Sequence, residues 1–355
     1  MLRVDTLPSP QPLQPDFTHP NPDVVRAYNV CRAAEHLINQ DRPPRNDTVE
    51  KMLINVRILG HLLSQSGLLL DTALSKVAED ILSSQAKAQG SNEALMEELT
   101  ALGEFYRNYF IRPFRKYKGK TPNVTSHPSR DSFELTKEEI DQVLAEPRDA
   151  DYDMSRKLAM KREDHRCIVT RILDFAYALR FRTPDGGMYE EDTEALHFCH
   201  IFSESTNEDI EQSGLLNSFG YSHLVNHFAT GDRVHFLENV MMMTEPLHHR
   251  FDTLKLWFEP VEVYSILKPP HGLTQGQLVI FQSAEPRFAL PNRESLRIHA
   301  ACCRVAHLSG ACGLLDELER DMDSDPDPIL EVPEFAKALH AHLEHLSLET
   351  LIEAH

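Results

Sequence analysis

The stretch LHFCHIF, residues 196–202, decides how the middle of this chain folds. Its apolar and polar side chains alternate, and a period of two is typical of a β-strand with one buried face. A second β-prone run, RCIVT, occupies residues 166–170. We expect Cys167–Thr170 and Leu196–Ile201 to pair as antiparallel strands, which would fix His200 on a rigid element.

The stretch TEPLHHRFD, residues 244–252, predicts the start of a helix. Its first residue, a threonine, is suited to the capping position, and proline is tolerated in a first turn because its missing N–H would be unpaired there. His248 and Asp252 stand four residues apart and therefore share one helical face. Leu247 and Phe251 share another face, which we expect to be buried. His248 is thus predicted to point away from the core.

Histidines on a strand and on a helix, with an asparagine between them, suit the hydrolysis of a phosphodiester bond. That reaction needs an activated water, a base that deprotonates it, and a cation that stabilises the phosphate and the leaving oxygen. A neutral imidazole at His200 is a candidate base. Asn239 is a candidate for holding the loop and that imidazole in orientation, and His248 is a candidate metal ligand.

These segments resemble the HNH endonuclease family, in the form found in many fungal HNH-domain proteins, and the resemblance implies a ββα-metal fold. It covers roughly residues 155–310 and rests on the order and spacing of several short motifs. His248 follows Asn239 by nine residues, as in the family pattern. The matching residues are Cys167 and Thr170, Cys199-His200-Ile201, Asn239, Leu247-His248, Phe251-Asp252 and Leu256-Trp257-Phe258-Glu259-Pro260.

The resemblance implies a role for each matching polar residue. His200 corresponds to the general base and is also considered as a metal ligand, Asn239 corresponds to the orienting residue, and His248 to the metal-binding histidine. The implied cofactor is a divalent cation, Mg²⁺, with Mn²⁺ or Zn²⁺ as alternatives. The additional candidates for the site are Cys199, His197, His249 and Asp252.

Two positions depart from the family pattern. Cys199 stands where many HNH enzymes carry a metal-binding aspartate and where the fungal forms usually carry alanine. Arg171 replaces the glycine that follows the C-x-x-T run, and the zinc-binding CxxC pairs of some members are absent. The sequence therefore supports two functions: a metal-dependent nuclease, or an HNH-like module that no longer cuts and serves in binding or scaffolding. A third alternative, an all-helical interaction protein with incidental histidines, predicts no β-hairpin between residues 167 and 202.

Helical segments flank this central region, so the predicted fold class is α+β. A cap at Asp23, a capping box formed by Asp47 and Glu50, and a helix start near Ser91 help to predict the helices of an N-terminal helical domain. The expected organisation is a disordered tail at 1–22, a helical domain at 23–120, a linker with a short helix at 121–151, an HNH-like ββα-metal domain with short antiparallel strands at 152–290, and a helical C-terminal region at 291–355.

The fourth predicted helix leads into a basic run, YRNYFIRPFRKYKGK, at residues 106–120. No acidic residue interrupts it, and in an acidic protein it is the clearest candidate for a surface that faces phosphate groups. A solvated helix end, whose cations favour the helix dipole, explains the same pattern. The candidate nucleic-acid-binding residues are Arg107, Arg112, Arg115, Lys116, Lys118 and Lys120.

Composition limits the remaining choices. A formal net charge of -19 over 355 residues opposes a general nucleic-acid coat protein. It does not oppose a nuclease, because a bound cation and a local basic patch offset the field. We expect nucleic acid as the partner, DNA rather than RNA, with a protein partner through the helical regions as a further expectation.

The N-terminal stretch MLRVDTLPSPQPLQPDF has no apolar core, so we expect no signal peptide. No run of 18 apolar residues predicts a membrane span. Six cysteines without a CxxC pair fit reduced thiols. The expected location is intracellular, in the cytoplasm or nucleus.

Overall fold

The computed structural model describes residues 7–40, 47–115, 140–141, 151–181, 183, 186–187, 189–202, 214–228, 231–260 and 279–324. Within these ranges helices predominate and the strands are few and short, which is compatible with an α+β protein. The chain divides into two compact units, residues 1–314 and 315–355. The site described below lies in the first unit, and the second is described only at residues 315–324, which are helical.

Four amphipathic helices build the N-terminal part, as their apolar periodicity predicts. They are α1 (Pro22–Gln40), α2 (Asp47–Leu63), α3 (Asp71–Lys87) and α4 (Asn92–Tyr106). Ser91 caps α4, since its Oγ accepts a hydrogen bond from the N–H of Ala94 at 3.2 Å. Helices α2 and α4 pack closely at Gly103, where an added Cβ would lie 2.2 Å from the backbone oxygen of Asn55.

Two further segments pack against this bundle. Helix α10 (Arg293–Ser309) begins at Asn292, whose side chain caps it by accepting the N–H of Ser295 at 2.9 Å, and it packs against α2. In the segment before α1, Leu13 is buried and its N–H donates to Glu35 Oε2 at 2.8 Å. Part of the predicted tail therefore lies against the helices, and the domain boundaries themselves stay predictions.

The central region alternates short helices, strands and turns. Helix α5 (Tyr152–Arg162), strand β1 (Leu173–Asp174) and helix α6 (Phe175–Arg180) come first. The next elements are β2 (Thr193–Glu194), β3 (Leu196–His200), α7 (Leu215–Ser218), α8 (Ser222–Phe228), 3₁₀ turns at Gly231–His235 and Leu237–Asn239, β4 (Val240–Thr244) and α9 (Glu245–Asp252). Helix α11 (Ala311–Ser324) follows α10.

Strands β3 and β4 form an antiparallel pair in which Leu196 lies opposite Thr244 and His200 opposite Val240. Helix α9 follows β4 directly and packs against both strands. Thr244 occupies its capping position, although its side chain makes no capping hydrogen bond, and Pro246 lies in the first turn. The helix predicted near Thr244 is therefore present, and it follows a strand pair.

The predicted strand at Cys167–Thr170 is wrong, because these residues form a tight turn. The N–H of Arg171 donates to the carbonyl of Cys167 at 2.9 Å, and the N–H of Ile168 donates to Met242 at 2.9 Å. The turn thus lies along β4, which replaces it as the partner of β3. The all-helical alternative is also wrong, since the described residues include this strand pair.

Membrane-span criteria were met by no single helix among the described residues. Two helices joined by a bend, Arg293–Ser309 and Ala311–Leu318, together meet the criteria of length and composition for a membrane span, and no other observation supports a span there.

Candidate metal centre and active site

Strand β3 and helix α9 bring three potential metal ligands together. A sulfur of Cys199, a ring nitrogen of His248 and a carboxylate oxygen of Asp252 all lie within 4.8 Å of one another. Cys199 is fully buried, whereas the side chains of His248 and Asp252 retain 20% and 19% of their exposure. The shared helical face predicted for His248 and Asp252 is therefore the face that meets the strand thiol.

His248 is electrostatically unusual. Its Nε2 lies 3.2 Å from Oδ2 of Asp252, yet this buried atom makes no well-aligned hydrogen bond to the described residues. Burial lowers the pKa of His248, but its electrostatic and hydrogen-bonding interactions with Cys199 and Asp252 raise that pKa more, to about 10. Without a cation the ring is therefore held as an imidazolium, whose positive charge occupies a position suited to a metal ion.

The other two candidate histidines lie outside this cluster. The ring of His197 is 5.8 Å from that of His248 between centroids. Burial lowers the pKa of His197, and the charges of His248 and Arg156 lower it further. His249 is exposed on α9. Among the sequence candidates, Cys199 and Asp252 therefore join His248, His197 borders the cluster, and His249 does not contribute to it.

His200 follows Cys199 in β3 and faces different neighbours, because consecutive strand residues point to opposite sides. Its Nε2 is hydrogen-bonded to Nδ1 of His235 at 3.0 Å. Its ring lies 4.9 Å from Phe198 and 6.4 Å from Tyr152 between centroids. His200 is not part of this cluster among the described residues, and its suggested second role as a metal ligand stays a prediction.

Asn239 is fully buried and makes three hydrogen bonds through its side chain. Oδ1 accepts the N–H of Phe202 at 2.9 Å, and Nδ2 donates to the carbonyls of Phe202 at 2.7 Å and Val234 at 2.8 Å. These bonds join the end of β3 to the turn that carries His235. Asn239 therefore fixes the backbone two residues after His200 and one residue before His235.

A buried ion pair beneath β4 escaped the sequence analysis. Arg162 donates to Glu163 and also to the carbonyls of Leu237 at 2.6 Å, Val240 at 2.7 Å and Ala289 at 3.0 Å. Glu163 Oε2 accepts the N–H of Met242 at 2.8 Å, while burial raises the pKa of Glu163 to about 6 against the opposing effect of Arg162. The pair fixes β4 and the turn that precedes it.

The basic run at 106–120 divides into surface and interior residues. Arg107 is buried and donates to Asn55 Oδ1 at 3.3 Å and Glu104 Oε1 at 2.6 Å. Arg115 is 2% exposed and donates to the carbonyl of Cys312 at 3.4 Å. Arg112 is exposed. Two of the predicted phosphate-facing arginines thus serve the interior, and Lys116, Lys118 and Lys120 lie outside the described residues.

Strand β3 and helix α9 bring sulfur, nitrogen and oxygen donors together, and a buried asparagine holds the backbone beyond the end of β3. Residues 167–259, roughly a quarter of the chain, match the family model described as HNH endonuclease. No curated protein and no solved structure matches the chain. The family match supports an HNH-like domain in this segment and suggests a nuclease type of function.

Proposed function

We propose that this protein is a metal-dependent nuclease that hydrolyses phosphodiester bonds at the β3–α9 site. The observation that supports this most is the convergence of Cys199, His248 and Asp252 within 4.8 Å, inside the segment that matches the HNH endonuclease family. In this proposal the three residues hold one divalent cation. His200 is the general base, and Asn239 positions it through the β3 end and the His235 turn.

The donor set fits a cation, and it fits Zn²⁺ better than Mg²⁺. The Nε2 of His248 is buried without a well-aligned hydrogen bond in the described structure, and a cation would satisfy it. Thiolate and imidazole ligands suit Zn²⁺, whereas Mg²⁺ prefers an octahedral shell of oxygens. We therefore propose Zn²⁺ in place of the Mg²⁺ expected from the resemblance, with Mn²⁺ as the alternative. When bound, such an ion supplies Lewis-acid stabilisation of the phosphate and the leaving oxygen.

The chain's own residues supply the proton chemistry. Strand β3 ends at His200, so Cys199 and His200 flank the same strand end from its two faces. In this proposal a phosphodiester lies across the end of β3, with the metal site on one side of it and His200 on the other. His200 in its neutral form accepts the proton of the attacking water, and its hydrogen bond to His235 fixes the ring while the charge forms. The proposed substrate is nucleic acid, with DNA tested before RNA.

Metal binding and plasmid cleavage test this function together. Protein freed of metal by a chelator is titrated with Zn²⁺, Mn²⁺ and Mg²⁺, and bound metal and nicking of supercoiled plasmid are measured with each. We expect one equivalent of Zn²⁺ to bind and nicking to return with Zn²⁺ or Mn²⁺. Cys199→Ala should lose both properties, and Cys312→Ala, a change at another buried cysteine, should keep them. Stoichiometric metal without cleavage of DNA or RNA would overturn the nuclease proposal in favour of a non-cutting module.

A further inference from the structure

Helix α5 presents an exposed edge beside the proposed site, upstream of the segment that matches the family model. Tyr152 and Arg156 stand four residues apart and therefore share this edge. The helix packs against β4 and the two 3₁₀ turns, so the edge is held at a fixed distance from the site. The family match assigns no role to either residue.

Tyr152 places an aromatic ring next to the proposed base. The residue is 41% exposed, an unusual position for a large ring. Its centroid lies 5.0 Å from Phe198 in an edge-on contact, 5.5 Å from His235 and 6.4 Å from His200. The protein thus contacts one part of the ring, and the rest of the ring is accessible to solvent beside His200.

Arg156 places a positive charge on the same helix edge, one turn after Tyr152. It is half-buried, and within the described ranges it forms no ion pair or side-chain hydrogen bond. The helix that carries Arg156 packs against β4, and β4 pairs with β3, which carries Cys199. In a chain with a formal net charge of -19, a cation that has no carboxylate partner among the described residues complements a phosphate.

We propose that Tyr152 and Arg156 form a binding edge for one nucleic-acid strand. Arg156 pairs with a phosphate adjacent to the one that is cleaved, and Tyr152 packs against the neighbouring base. Aromatic rings stack on bases of any identity, and such stacking requires an accessible, unpaired base. The edge therefore selects single-stranded segments. The location of the cleaved phosphate rests on the proposed function, but strand binding does not.

Binding is measured first, by fluorescence anisotropy of a fluorescein-labelled single-stranded oligonucleotide with metal-free protein, so that no cleavage interferes. We expect Tyr152→Ala and Arg156→Gln each to weaken binding about tenfold, since stacking and phosphate contacts have effects of this order. Arg156→Gln should also lower the dependence of log K on log salt by about 0.7. Tyr152→Phe keeps the ring and should bind like the wild type.

Two matched variants control for unrelated effects. Lys157→Gln removes a positive charge from the same helix on a different face, and Phe175→Ala removes a ring that is 49% exposed on α6. Both should bind like the wild type. An oligonucleotide that does not bind, or binding that falls equally in the controls, would overturn the proposed edge. Equal weakening on fully paired duplex would overturn the preference for a single strand.

Cleavage separates strand binding from damage to the catalytic centre. With the metal-loaded protein, the variants at Tyr152 and Arg156 should raise KM for the oligonucleotide about tenfold and leave kcat within about twofold. Hydrolysis of bis(p-nitrophenyl) phosphate, which has no neighbouring nucleotides, should not change. An equal loss on both substrates would contradict the proposal. A wild type that cuts neither substrate but binds the strand through this edge would refute the nuclease function alone.

Discussion

At the scale of single residues, the properties of the site depend on the electrostatic interaction of His248 with Cys199 and Asp252. The donor atoms of these residues lie within 4.8 Å of one another, and the interactions with Cys199 and Asp252 raise the pKa of His248 to about 10, so its ring keeps a proton at neutral pH when no metal is present. A divalent cation can replace that proton and bind all three donors. The stability and the metal affinity of the protein should therefore both respond to His248.

Replacement of His248 by alanine should weaken Zn²⁺ binding by more than the roughly 10–100-fold that loss of an outer-shell partner produces. The reason is that one of three direct donors is removed, and excess metal should partly restore binding. His249→Ala removes the exposed neighbouring imidazole and should bind metal like the wild type. Isothermal titration calorimetry measures both affinities. Equal affinities for wild type and His248→Ala would remove His248 from the metal site.

The metal-free protein should lose the stabilising contribution of His248 at alkaline pH. The folded pKa of about 10 lies above the usual value near 6.5, so the contribution is fully present below about pH 6.5 and disappears as the pH rises through 10. Urea unfolding of wild type and His248→Gln, both with chelator, measures it. The difference in the free energy of unfolding should shrink from about pH 6 to about pH 10. A difference that grows over this window contradicts the assigned charges.

Arg171 should carry backbone strain that glycine would relieve. Its φ is +62°, in the left-handed region, at the position where the resembled family has glycine. The left-handed conformation costs an L-residue about 1–2 kcal/mol, and a β-branched side chain tolerates it poorly. We expect Arg171→Gly to leave the free energy of unfolding unchanged or raise it by up to about 1 kcal/mol, and Arg171→Val to lower it by about 1 kcal/mol or more. Chemical denaturation measures the free energy of unfolding of each variant. A glycine variant that is less stable than the valine variant would contradict the proposed backbone strain at Arg171.

At the scale of elements, the β3 end and the His235 turn are joined through one buried side chain. Asn239→Ala should lower the free energy of unfolding by about 3 kcal/mol, since it leaves buried backbone groups of Phe202 and Val234 unpaired at about 1–3 kcal/mol each. Asn226→Ala, at an exposed asparagine, should change stability by less than about 0.5 kcal/mol. If Asn239→Ala changes thermal and urea unfolding as little as the control variant does, the hydrogen bonds of Asn239 do not stabilise the connection between the end of β3 and the His235 turn.

The strand at Leu196–His200 and the helix at Glu245–Asp252 were predictable from local pattern, because alternation and helical spacing are properties of consecutive residues. Strand β4 was not, since Val240–Thr244 is buried along its whole length and shows no alternation. Its three methionines indicated only that this segment is buried in the core, without specifying a strand. The turn at Cys167–Thr170 was mistaken for a strand because its β-prone side chains pack along β4 without extending.

The ion pair of Arg162 and Glu163 shows a second limit of local pattern. In sequence it belongs to the charged run MKRED, which is typical of a solvated helix end. In the structure both side chains are fully buried and hold β4, a strand nearly eighty residues further along the chain. Only tertiary contacts distinguish the two cases. The spacing of a motif nevertheless singled out His200, Asn239 and His248 in the sequence, and their roles in the site stay predictions.

At the scale of the whole molecule, the site is a small α+β insertion among helices of an acidic chain. Helix α10 packs against α2, so segments far apart in sequence share one apolar core. Arg107 and Arg115 are buried, so these two charges of the basic run are not available at the surface that was predicted to bind phosphate. Arg112 is the exposed arginine among the described residues of this run, and the role of the run in binding nucleic acid stays a prediction.

The most direct test of a metal-dependent nuclease at this site is the cleavage rate of Zn²⁺-loaded His200→Ala beside the loaded wild type, with bound metal measured in both. His200 lies outside the ligand cluster, so the variant should keep its metal. Loss of the base should slow single-turnover cleavage by about 10²–10⁴-fold. A variant that retains one equivalent of metal and cuts as fast as the wild type would contradict the account.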